Sequence, residues 1–257
     1  MSSIRKLINQ TAIYGTSSII GRFLNFLLTP LYALQFSNEQ YGIITEMYAY
    51  VAFLVVVLTY GMETAFFRFS TIDKKNRLNI YSNTLYSLVC TSALFIAMAS
   101  IFAENIADWL KYPNHKEYII WFSLIVSLDA ISSIPLAKLR LEEKAKKFAL
   151  VNILNVAVNI FLNLFFIIYC KEAYENGEQN WVLKNLYDPE IGIGYVFISN
   201  LIASILKFSV LVPVMNFKGH FDFTILKQMI KYASPMLLVG LAYVINETLD
   251  RAMLKSI

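Results

Sequence analysis

Seven ionisable side chains fall inside long apolar stretches: Arg22, Glu46, Glu63, Asp129, Lys207, Glu247 and Asp250. Charge inside hydrocarbon is expensive, so such groups face a protein interior or a water-filled cavity, pair with one another, or meet a charged substrate or ion. Arg22 belongs to a defined face: Gly15, Ser18, Arg22, Asn25 and Thr29 recur at alternating spacings of three and four. At 100° per residue these positions share an arc of about 80°. Asn152, Asn155, Asn159 and Asn163 form a second polar stripe within a similar arc of about 80°. Four amides facing lipid would be costly, so the stripe either lines a cavity or bonds to neighbouring helices. Arg22, Asn25, Ser18, Asn152, Asn155, Asn159 and Lys207 are therefore the candidate substrate-binding or cavity residues. Asp129, Glu46 and Glu63 are candidates for ion or proton coupling, or for ion pairing. An Arg22–Asp129 pair at matching depth is the structural alternative to a substrate contact for Arg22.

No catalytic constellation accompanies them. The two histidines, His115 and His220, lie in loops expected on opposite sides of a membrane. No HExxH, Walker A or GxSxG pattern occurs. Cys90 and Cys170 have no metal-ligand spacing and read as packing residues, so no metal or cofactor is expected.

The elements that must position these residues are membrane-spanning helices. Of 257 residues, 57% are hydrophobic and 16% charged, against about 25% charged in a soluble domain. Mean hydropathy is +0.54. Two cysteines exclude a disulfide-rich scaffold, and the hydrophobicity excludes disorder. A net charge of +4, spread among loops, argues against nucleic acid as a partner. Spans of about 20 apolar residues are needed to cross a bilayer. Seven are expected, over 11–34, 43–66, 80–103, 118–137, 149–170, 191–215 and 233–254. The fold class is an all-α polytopic transmembrane bundle. The first span is too long for a signal peptide, contains Arg22 and precedes no cleavage site, so it reads as an uncleaved helix.

Lysine and arginine set the orientation. The N-terminal tail and the loops around 68–79, 138–148 and 216–232 hold 14 cations; the loops around 35–42, 104–117 and 171–190 hold 4. The richer side is cytoplasmic, which puts the N-terminus inside. Within 223–233, Ile225, Leu226, Met229, Ile230 and Ala233 make one face, with Lys227 and Lys231 off it. This is the pattern of a short interfacial helix on anionic lipid, or of a helical connector to the seventh span.

Several motifs resemble those of a transporter family. They are Gly21-Arg22-Phe23 and Thr29-Pro30-Leu31-Tyr32 in the first span, and Asn38-Glu39-Gln40-Tyr41-Gly42 after it. Gly61-Met62-Glu63-Thr64-Ala65, followed by Arg68, closes the second span. Lys138-Leu139-Arg140 follows the fourth, and Tyr232-Ala233-Ser234-Pro235 leads into the seventh. Together they resemble the N-terminal half of polysaccharide and lipid-linked oligosaccharide flippases of the multidrug/oligosaccharidyl-lipid/polysaccharide exporter superfamily. The resemblance implies two lobes around a central cavity, working by alternating access. Residues 1–215 would form a six-helix lobe, 216–232 a cytoplasmic connector, and 233–257 the first helix of a second lobe that is missing here. The implied substrate is an undecaprenyl-pyrophosphate-linked sugar repeat unit, moved outward across a bacterial cytoplasmic membrane for O-antigen, capsule or exopolysaccharide synthesis. The implied partners are this substrate, membrane lipids and the second lobe. One departure stands out: lipid II flippases, distant relatives, carry a second arginine where this chain has Leu28, so anion binding would rest on Arg22 with help from Lys207. Two other readings stay open. One is a cation- or proton-coupled multidrug antiporter of the same superfamily, using Asp129 or Glu46. The other is a membrane-embedded glycosyl or lipid transferase, although an enzyme is not the expectation: the adjacent acids Glu142 and Glu143 sit among lysines as a solvated face.

Overall fold

Apolar runs bounded by charge and turn residues fold here as helices. The computed structural model describes residues 13–255 apart from 18, 22, 25, 113, 114, 179 and 180, and the side chains of those up to 246 except 182. The described residues form α1 (Leu28–Gln35), α2 (Asn38–Thr59), α3 (Met62–Ile72), α4 (Arg77–Ile101), α5 (Ala103–Trp109) and α6 (Lys116–Leu141). There follow α7 (Ala145–Asn163), a π-helical segment (Leu164–Cys170), α8 (Lys171–Glu175), α9 (Trp181–Leu186), α10 (Gly194–Leu211) and α11 (Phe223–Lys255). Among the described residues there is no strand, and six helical stretches are long and apolar enough to cross a membrane: Asn38–Ile72, Arg77–Ile101, Lys116–Leu141, Ala145–Glu175, Gly194–Val214 and Phe223–Asn246. The chain is an all-α, polytopic bundle. These stretches take up the second to seventh expected spans. The first expected span, 11–34, includes residues outside the described set; its described residues from 13 to 26 are helical, and α1 follows.

The second expected span is interrupted. Tyr60 and Gly61 have φ of 34° and 74°, and the helix restarts at Met62. Left-handed residues end a right-handed helix. The seventh expected span starts earlier than hydropathy suggests: α11 begins at Phe223 and runs unbroken through Ala233. Asp222 caps it, its carboxylate accepting from the Thr224 amide at 2.7 Å and the Ile225 amide at 3.3 Å.

The chain divides into two units. The first holds the residues up to Glu46 together with Ala145–Lys207; the second holds Met47–Lys144 and Phe208 onward. The core of the second unit contains Met62, Phe66, Tyr81, Leu85, Ile134 and Ala137, with Leu226, Met229 and Ala233 contributed by one face of α11. Gly61 lets that face approach: a Cβ there would stand 2.6 Å from the Ala233 carbonyl oxygen. The segment 216–222 is strapped along α4 by residues spaced for one helical face. Ser82 donates to the Asn216 carbonyl and accepts from the Gly219 amide, both at 3.0 Å. Asn79 accepts from the His220 amide at 3.0 Å, and Asn83 from the Asp222 amide at 2.9 Å. Tyr86 donates to the Phe217 carbonyl at 3.0 Å. In the first unit, α7 and the π segment lead into a cluster of Phe166, Cys170, Ala173, Leu183 and Tyr195.

Candidate functional site

In the first unit the asparagine stripe becomes a hydrogen-bonded row along α7. Asn155, Asn159 and Asn163 lie four residues apart, one above another on one face. Asn163 is fully buried. Its Nδ2 donates to the Asn159 backbone carbonyl at 2.8 Å and to Asn159 Oδ1 at 3.1 Å. Its Oδ1 accepts from the Tyr32 hydroxyl of α1 at 2.9 Å. Tyr32 is 6% exposed and its ring lies 6.3 Å from that of Phe36. The winding changes to π-helical at the residue after Asn163. Such wide turns recur at functional sites, because they shift side chains out of the regular α register.

Up the row the bonding runs out. Asn155 Oδ1 is buried and has no hydrogen-bond partner among the described residues. A carbonyl oxygen left so costs about 1–3 kcal/mol relative to a satisfied one. The row is therefore anchored at Asn163, continues through the buried Asn159, and presents an open acceptor at Asn155, with the half-buried Asn152 one turn further on. Lys207, on α10 in the same unit, is 8% exposed and engaged with neighbouring groups. Glu46, also in this unit, is half-buried and partnered. The candidates Ser18, Arg22 and Asn25 lie outside the described residues. Tyr32 was not among the sequence candidates, although a signal existed: it extends the spacing of Gly15, Ser18, Arg22, Asn25 and Thr29 by three more residues.

The second unit holds the other candidates in a different setting. Glu63, at the start of α3, accepts from Arg140 Nη2 at the end of α6, at 2.5 Å. The Arg140 guanidinium lies 5.3 Å from the centre of the Phe67 ring. Lys138 lies 4.4 Å from the centre of the Tyr81 ring and donates to the Val214 carbonyl at 3.0 Å. Arg68 stacks over Tyr232 of α11 at 4.4 Å. These residues come from three of the motifs singled out above, and in this unit they tie α3, α4, α6 and α11 together. Asp129, within α6, is half-buried and partnered. In the exposed turn before α4, the Asn76 side chain and backbone amide donate to Asp73 and hold its carboxyl below its usual range.

No curated protein and no solved structure matches the chain significantly. A family model described as "polysaccharide biosynthesis protein" matches residues 35–175, more than half of the length. The match starts at the last residue of α1 and ends with α8, so it takes in the asparagine row, the Glu63–Arg140 pair and the break at Gly61. With six apolar helices long enough to cross a membrane, the chain is a multi-pass membrane protein that belongs to the polysaccharide biosynthesis protein family.

Proposed function

We propose that the chain is the N-terminal part of a flippase. It carries undecaprenyl-pyrophosphate-linked oligosaccharide repeat units from the cytoplasmic to the outer leaflet of a bacterial cell membrane by alternating access, for surface polysaccharide synthesis. Residues 1–215 supply one lobe, and α11 begins the second. The observation that carries this reading is the intramembrane amide row with its open acceptor at Asn155. A carbonyl oxygen in that position can receive a sugar hydroxyl, and amides both donate and accept. Family membership supports a saccharide as the cargo. Arg22 meets the pyrophosphate in this reading, because a guanidinium binds phosphate oxygens bidentately and stays charged when desolvated. Lys207 supplements it. The protein carries no chemistry of its own in this scheme: it binds, shields and releases.

The test is translocation in vesicles reconstituted with the whole transporter and a fluorescent undecaprenyl-pyrophosphate oligosaccharide. The labelled lipid is expected to become accessible to a membrane-impermeant quencher faster than in protein-free vesicles. Arg22→Ala should abolish the gain and Arg22→Lys should retain part of it. Equal rates with and without protein would overturn the reading. Drug efflux driven by a cation gradient would favour the antiporter instead, and turnover of a nucleotide sugar the transferase.

A further inference from the structure

The first unit contains a second feature, beyond the Asn163 end of the asparagine row. A cavity of about 290 Å³ opens where the end of α1 and the start of α2 meet α8 and the segment leading into α10. The cation distribution assigns this side to the exterior. The volume is at the small end of ligand pockets, which run roughly 300–1,000 Å³. It suits a small ligand or one unit of a chain, not a whole lipid-linked molecule.

Its walls are of two kinds. One is aromatic. Tyr195 stacks with Phe166 at 4.5 Å and with Tyr187 at 5.2 Å, the ring planes within 17° and 11° of parallel. Tyr174, 52% exposed, continues the series 5.9 Å from Tyr187. The column is held from behind: the Tyr195 hydroxyl accepts from the Asp188 amide at 2.6 Å and donates to the Leu186 carbonyl at 3.4 Å. Burial raises the Tyr187 phenol above its usual range, so it stays a neutral hydroxyl. The other kind is polar. Lys171 Nζ donates to both the backbone and the side-chain oxygen of Gln35, at 3.3 Å each. Gln40 spends its Oε1 on the Ser37 amide at 3.2 Å, which leaves its side-chain NH₂ for a ligand. The exposed Glu175 carboxylate completes the rim.

Aromatic side chains often gather at membrane interfaces as anchors. Anchoring needs neither mutual stacking around a concavity nor four hydrogen-bonding side chains on the same wall. An acyl chain would use the rings and leave the Gln40 NH₂ and the Glu175 carboxylate unengaged. A small anion would use Lys171 and be repelled by Glu175. A sugar ring fits both halves, since it has an apolar C–H face for an aromatic wall and a hydroxyl edge for amides, an ammonium and a carboxylate. We infer that this cavity is a saccharide subsite on the outward-facing side of the first unit, which holds one sugar ring between the tyrosine column and the Gln40–Glu175 rim. The site stands on the cavity; that the sugar belongs to the transported cargo rests on the flippase reading.

The test is saturation-transfer NMR on the full chain in nanodiscs, with D-glucose, D-galactose, N-acetyl-D-glucosamine and L-rhamnose as free probes and one of them on a polyprenyl pyrophosphate. At least one probe should receive saturation on its ring protons. Tyr174→Ala and Glu175→Gln, both at exposed positions, should each cut that transfer at least fivefold without changing helix content. Transfer to free sugar identifies a subsite for the sugar alone, and transfer only to the carrier-linked form a subsite that needs the anchored cargo; either supports the proposal. No transfer to any probe, or equal transfer in wild type and both variants, overturns it. Vesicle translocation by the whole transporter, as wild type and with the same two substitutions, separates the two claims. Transport with no sugar contact at this cavity sinks the subsite alone, and sugar contact without transport sinks the flippase reading alone.

Discussion

The motif residues of the second unit and the amide row of the first are bonded differently. In the second, the motif residues end on partners: Glu63 on Arg140, Lys138 on the Val214 carbonyl and the Tyr81 ring, Arg68 on Tyr232. Asn79, Ser82 and Asn83 are consumed by the strap over 216–222. In the first, the row along α7 starts equally satisfied at Asn163 and ends with a buried acceptor that nothing described satisfies. Polar groups that hold helices together should be fully paired, because an unpaired one subtracts from the stability it is meant to give. Buried polar atoms without a described partner occur in both units, the hydroxyls of Ser70, Ser92 and Ser132 in the second and Asn155 Oδ1 in the first; Asn155 stands apart because it continues the spacing of a polar row along α7.

The largest effect is expected at Gly61. Alanine there meets a left-handed φ and the Ala233 carbonyl at 2.6 Å. The backbone strain of about 1–2 kcal/mol and overpacking of about 1–3 kcal/mol should together strip α11 from α3, seen as a large fall in the thermal midpoint in detergent. Wild-type stability for Gly61→Ala would mean that α11 is not seated there. Asn163→Ala comes next. It removes the acceptor of the Tyr32 hydroxyl and should cost about 1–3 kcal/mol by the same assay, whereas Tyr32→Phe with Asn163→Leu together should recover most of the loss. Glu63→Gln should cost less, at most about 1 kcal/mol, because a pair whose partners are about a third exposed is screened. Transport should survive it. A transport defect larger than the stability defect would move Glu63 from helix pairing to ion coupling.

The spans were legible because about 20 apolar residues between charged loops admit little else. The break at Tyr60–Gly61 was not, since one glycine in an apolar run gives no φ, and its reason lies at Ala233. The four polar residues Asn79, Ser82, Asn83 and Tyr86 share a face that the sequence displays, yet their partners lie more than a hundred residues away. The same distance hides the saccharide cavity, which exists only once Gln35–Gln40 meets Lys171–Tyr195. The asparagine stripe was visible as spacing. Spacing could not say which amide is anchored and which is open, because that depends on Tyr32.

In the proposed flippase, Asn155 offers its oxygen to cargo and not to the fold. Asn155→Leu, measured for both thermal stability and vesicle translocation of an undecaprenyl-pyrophosphate oligosaccharide, tests it most directly. Removing a buried acceptor with no partner should leave stability unchanged or raise it by up to about 1 kcal/mol, while translocation falls at least tenfold. Translocation at the wild-type rate, or a loss of stability like that of Asn163→Ala, would overturn this role for Asn155.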